Sequence, residues 1–120
     1  MTATFRPLEY EDVIAVNGEP FQESVRGITV LEDGEPVMIG GVLHTKPLQA
    51  FSECVIDPKK YPVTVMKATR AFKKIIESYR GPVFAIASTK YPTSESYLKH
   101  TGFEYVETTK DGRLYQWVTQ

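Results

Sequence analysis

Apolar residues along this chain follow two different periods, and the change from one to the other marks out its elements. From Gly27 to Glu32 the run Gly-Ile-Thr-Val-Leu-Glu is β-branched and apolar. Asp33-Gly34 is a hairpin turn, and Val37 to Leu43 returns as the partner strand. Lys46-Pro47 interrupts, Leu48 to Ile56 supplies a third strand, and Asp57-Pro58 stops it. Three strands in succession make an antiparallel meander. Gly40-Gly41 within the second strand reads as a bulge or a close approach of two chains. Ahead of the meander, Phe5 to Leu8 is a short extended piece and Tyr10 to Val13 the polar start of a helical turn.

The period then lengthens. Val65, Ala68, Phe72, Ile75, Ile76 and Tyr79 recur at helical spacing. Pro62 suits a first helical turn, where a missing N–H costs little, and Gly81-Pro82 ends the helix sharply. Val83 to Ala87 is a continuous apolar run, as a strand covered on both faces requires. A second helix can be capped by Thr93 or Ser94 and run through His100, with Gly102 as its left-handed end. Phe103 to Thr108 and Arg113 to Thr119 form a last hairpin, which places Tyr115 and Trp117 together on one sheet face, as core or as a sticky edge for a partner. The pattern predicts an α/β (α+β) domain of about six or seven strands and two main helices.

Composition narrows the function classes. The 120 residues, 42% hydrophobic and 24% charged, fit one domain, residues 1–120, with one core. Fourteen basic against fifteen acidic residues give a net charge of −1, so no global field draws the chain to nucleic acid or an anionic membrane. The longest apolar run, Val37 to Leu43, falls far short of the roughly 20 residues of a membrane helix. The N-terminus lacks the charged and apolar segments of a secretory signal, and a single cysteine, Cys54, suits a reducing compartment, so a cytoplasmic protein is expected. His44 and His100 are far apart and offer no metal-ligand spacing with one cysteine. Neither Ser88-Thr89 nor Ser94-Glu95-Ser96 comes with the partners of a nucleophilic hydrolase. Lys67, Arg70, Lys73, Lys74 and Arg80 make one flank of the main helix basic, a face that Glu77 interrupts and that is ordinarily just solvated.

The segment Tyr97-Leu98-Lys99-His100-Thr101-Gly102-Phe103, followed by Asp111-Gly112 and the strand Arg113 to Trp117, resembles the last third of the GNAT acetyltransferases. The element order resembles theirs as well, which implies that the strands form one mixed, mostly antiparallel sheet. That resemblance implies a gap between Phe51–Ile56 and Val83–Ser88 filled by the pantetheine arm of acetyl-CoA. It places cofactor contacts at Val55 and Ile56 on the strand, Lys59 and Lys60 in the loop, and Val63 and Thr64 at the helix start. In the family a glycine-rich loop lets pyrophosphate approach the backbone N–H groups of the helix start. Asp57 to Thr64 contains no glycine and two prolines, which departs from that pattern. Lys59 and Lys60 could meet phosphates only as point charges.

The resemblance also implies two catalytic positions. A tyrosine that protonates the thiolate stands four residues before the Gly-Phe glycine, which here is Leu98; Tyr97, about 100° round the helix, is the candidate, with packing as its competing role. The asparagine near the start of that helix is absent, the region being Tyr91-Pro92-Thr93. A glutamate base on the strand before the loop matches Glu53, which alternation sets on the face of Phe51 and Val55, where desolvation would favour general-base chemistry. A hydrogen-bonded structural role competes.

Within this family the chain is similar to small acetyltransferase-like proteins of tailed bacteriophages, including internal virion proteins. Ile39-Gly40-Gly41, the Lys/Arg-rich main helix, Leu98-Lys99-x-x-Gly102 and Thr109-Lys110-Asp111-Gly112 carry that likeness. Two functions follow as expectations. One is a noncatalytic GNAT-like domain that binds proteins in a virion or its assembly, through Tyr115, Trp117 or the main-helix flank. The other is an acetyl-CoA-dependent N-acetyltransferase with Glu53 as base.

Overall fold

Asp33, at φ 51°, and Gly34, at φ 84°, close the first hairpin with the pair of positive φ angles that a tight two-residue turn demands. In the computed structural model, which describes residues 3–88 and 93–118, this turn joins β2 (Val25–Glu32) to β3 (Glu35–Leu43). Around them stand β1 (Ala3–Pro7), α1 (Tyr10–Asn17), β4 (Leu48–Cys54), a short 3-10 turn (Pro58–Lys60), α2 (Pro62–Glu77), β5 (Val83–Ile86), α3 (Ser94–Thr101), β6 (Phe103–Thr109) and β7 (Gly112–Trp117). The strands form one sheet in the order β1-β2-β3-β4-β5-β7-β6. Among the described residues only β4 and β5 pair in parallel.

The helices cover opposite faces. On β2, Ile28 and Val30 pack with Ala68 and Phe72 of α2, whereas Thr29 between them donates to the Asp12 carboxylate of α1 at 2.7 Å. Side chains alternate along a strand, so α1 and α2 lie on different sides. The α2 stripe of Ala68, Phe72, Ile75 and Ile76 is buried, and α3 joins that layer through Leu98. Phe72 rests on Gly40, where any Cβ would collide with its ring. The glycine pair therefore serves a close approach, of a helix on one side and of the Gly27 backbone on the other.

Three boundaries differ from the pattern. Helix α1 continues to Asn17, beyond the first turn legible at Tyr10, and Gly18 at φ 88° ends it. Strand β4 stops at Cys54, leaving Val55 and Ile56 in the turn, and α2 stops at Glu77 before Tyr79. The alternative of Tyr115 as a sticky edge is corrected: β7 lies between β5 and β6, and Tyr115 is fully buried. Trp117 is half-buried against Phe103. The sheet edge falls instead to β6. Tyr91, Pro92, Thr89 and Thr119 lie outside the described residues. No described helix is long and apolar enough to cross a membrane.

Candidate functional site

The parallel pairing of β4 with β5 covers only Leu48↔Val83 and Gln49↔Phe84. Beyond that point β4 keeps its ladder with β3 as far as Cys54, while β5 pairs with β7 through Ile86. The two strands thus part company in the middle of the sheet. Val83, Ala85 and Ala87 on β5 and its exit pack beneath Ile75 and Ile76, which fixes one side of the opening.

At the mouth of this opening the chain enters α2 through Asp57 to Thr64. Asp57 caps the 3-10 turn, its Oδ1 accepting the Lys59 N–H at 3.1 Å. The Lys60 N–H donates to the Asp57 carbonyl at 3.1 Å and the Tyr61 N–H to Pro58 at 3.2 Å. Pro58 and Pro62 have no N–H to offer. Three donors of the loop are engaged internally and a carboxylate occupies its start. The Val63 and Thr64 N–H groups remain at the helix start, where none has an intrahelical acceptor. Val63 is 59% exposed, and Lys59 and Lys60 are exposed. This loop does not fit a pyrophosphate group: its backbone is folded onto itself, with an anion built in.

The Tyr97 side chain is turned toward α2. Its hydroxyl lies 2.6 Å from Thr69 Oγ1, and that Thr69 hydroxyl lies 2.8 Å from the Val65 carbonyl. A threonine has one proton to give, so Tyr97 donates to Thr69 and Thr69 to Val65. Burial pushes the Tyr97 phenol up, which keeps that proton in place. At the other end of the helix, the Ser94 hydroxyl accepts the Ser88 N–H at 2.8 Å, tying α3 to the exit of β5.

Glu53 lies on the other side of the sheet. Phe51, two residues earlier, packs edge-on against Phe21 at 4.9 Å, whereas Cys54 and Ile56 pack into the α2 layer. Glu53, Cys54, Val55, Ile56 and Asp57, with Val16 and Asn17 from the end of α1, line an open cleft of about 470 Å³. The desolvated setting expected for Glu53 is corrected by this geometry: α1 ends at Asn17 and leaves the carboxylate exposed. Glu53 and Tyr97 are therefore held on opposite faces. Val55 is 58% exposed, while Lys59, Lys60, Val63 and Thr64 are not among the residues lining that cleft. Among the described residues no group of three His, Cys, Asp or Glu side chains could hold a metal.

Solved structures with the same arrangement settle the architecture. Ard1 from Thermoplasma volcanium superposes with a TM-score of 0.64 at 14% identity, over 97% of this chain and 95% of that one. An acetyltransferase from Agrobacterium tumefaciens str. C58 gives 0.62 at 14% identity, over 98% and 91%. A GNAT-family acetyltransferase from Streptococcus agalactiae 2603 gives 0.53 at 16% identity, over 92% and 69%. The fold is GNAT-like. No protein-family model and no curated protein matches the sequence. At these identities the likeness extends to the fold alone. In this chain β4 and β5 part after Gln49, and the segment Asp57 to Thr64 contains no glycine.

Two features of the site escaped the pattern. Asp57 as a cap was accessible in principle, since Asp before Pro is a recognised helix-start signal. Thr69 as the partner of Tyr97 carries no local signal, because the two are 28 residues apart.

Proposed function

We propose that this chain is a noncatalytic, acetyltransferase-like GNAT-fold protein that acts through contacts with other proteins. One observation carries the reading: the segment that would cradle the cofactor phosphates has three of its N–H groups bonded internally and Asp57 in their midst. A phosphate brought there would meet a carboxylate and two prolines in place of donors. The likeness of Ile39-Gly40-Gly41 and Thr109-Lys110-Asp111-Gly112 to phage-encoded acetyltransferase-like proteins supports a place in a virion or its assembly, in the host cytoplasm or the particle.

Calorimetric titration with acetyl-CoA and with CoA, both to millimolar ligand, tests the reading. No saturable heat and no thermal shift are expected. Saturable binding of either ligand would overturn it.

A second reading has one observation in its favour, the retained parting of β4 and β5. It makes the protein an acetyl-CoA-dependent N-acyltransferase that recruits phosphates through Lys59 and Lys60 and uses Glu53 as base. Charge reversal at Lys60 would then weaken CoA binding, and Glu53→Gln would slow turnover without loss of fold.

A further inference from the structure

Six of the fourteen basic residues, Lys59, Lys60, Lys67, Arg70, Lys73 and Lys74, fall between Pro58 and Ile76, and none of the fifteen acidic residues does. That stretch carries +6, and the rest of the chain, with eight basic against fifteen acidic residues, carries −7. Such a division is invisible in the net charge of −1. Helical geometry then concentrates it. Val63, Met66, Arg70 and Lys74 follow one another at three- and four-residue steps, with Lys67 beside Met66, on the face of α2 opposite buried Ala68, Phe72, Ile75 and Ile76. From Val63 to Lys74 this face is about 16 Å long at the helical rise per residue.

The face is open. Lys67, Arg70 and Lys74 are exposed, and Val63 and Met66 are 59% and 47% exposed. Ion pairs among the described residues join Arg6 to Glu9 and Asp12, and Arg113 to Glu95, so no cation of α2 takes part in one. A helix with an apolar pair at one end and unneutralised cations along its length is complementary to an acidic segment that also carries apolar side chains. A nucleic acid fits it less well. Five of the six cations are lysines, which lack the planar fork used on phosphates, the exposed face has no aromatic ring on which a base could stack, and the −7 elsewhere opposes a polyanion.

We infer that the exposed face of α2 docks an acidic, amphipathic segment of a partner protein, whose carboxylates meet Lys67, Arg70 and Lys74 and whose apolar side chains cover Val63 and Met66. The inference rests on the protein-binding reading above and gives that reading a surface and a partner chemistry. It uses the helix body and not the loop that precedes it.

Fluorescence anisotropy with three labelled probes tests it: a helix-forming amphipathic Glu/Leu peptide, an all-Glu peptide of equal length, and a short DNA duplex. The Glu/Leu peptide is expected to bind tightest and to weaken as salt is raised. Lys67→Glu with Arg70→Glu should weaken it by about tenfold or more, as expected for reversed contacts in an electrostatic interface. Val63→Ser with Met66→Ser should weaken the Glu/Leu peptide and leave the all-Glu peptide unchanged. All four residues are on the solvent side of α2, and circular dichroism of each variant confirms the fold. Tighter binding of the duplex, absence of peptide binding, or binding indifferent to both pairs of substitutions would overturn the proposal. The CoA titration fails or succeeds separately: CoA binding together with peptide binding would remove the noncatalytic reading and keep the surface.

Discussion

The Tyr97 hydroxyl donates to Thr69 Oγ1 at 2.6 Å and so joins α3 to the second turn of α2 on the face where β4 and β5 part. Thr69 hands its own proton to Val65, which fixes the direction of the pair. The bond is a tie between helices, and its worth can be read as a coupling. In a double-mutant cycle of Tyr97→Phe and Thr69→Val, urea denaturation should give a coupling of about 1 kcal/mol. A coupling near zero would show that the two hydroxyls are satisfied by water instead.

Acid should weaken the other face first. Asp12 is only 1% exposed, and burial alone would push its carboxyl up; Arg6 at 2.6 Å, Thr29 at 2.7 Å and the Glu9 N–H at 3.1 Å outweigh that and hold it below the usual range. With the folded value lowered, the unfolded chain binds the proton more readily. The stability from Asp12 is therefore present above the ordinary aspartate range and is lost as pH falls through it toward the folded value. Asp12→Ala should cost about 1–3 kcal/mol at neutral pH, because it leaves the fully buried Thr29 hydroxyl and the Glu9 N–H without their acceptor. Denaturant midpoints measured against pH should show a shallower acid limb in the variant.

Alkali acts through Tyr115. Its burial, with the Glu95 carboxylate accepting its proton at 2.6 Å, pushes this phenol up to about 12. An unfolded tyrosine releases its proton near pH 10. The stability Tyr115 contributes is thus complete below that value and declines as pH rises toward the folded value. Absorbance titration of the tyrosinates should show a late-ionising phenol that Tyr115→Phe removes, and a variant whose titration matches the parent would refute the assignment.

Gly40 should tolerate no side chain. A Cβ there would run into the Phe72 ring, the residue that seats α2 on the sheet. Gly40→Ala is expected to destabilise the fold by about 1–3 kcal/mol, the cost of an overpacked core. Adding Phe72→Leu should restore part of the loss in the same unfolding measurement, since the smaller side chain clears the space.

Local chemistry alone determined much of this protein. Asp33-Gly34 permits little but a tight hairpin, the Val65-to-Ile76 spacing can bury only one helical face, and Gly102 ends α3 with its positive φ. The succession of strands and helices along the chain follows from such signals, each set by residues a few positions apart, whereas their order in the sheet does not. Tertiary structure decided the rest, because the partners lie far along the chain. Burial of Tyr115 depended on β7 pairing with β5, and exposure of Glu53 on α1 ending at Asn17. Tyr97 found Thr69 only once two helices packed on one face. Whether a carboxylate, a hydroxyl or a cation becomes chemistry or scaffold is set by its surroundings in space, and those the order of residues specifies only through the completed fold.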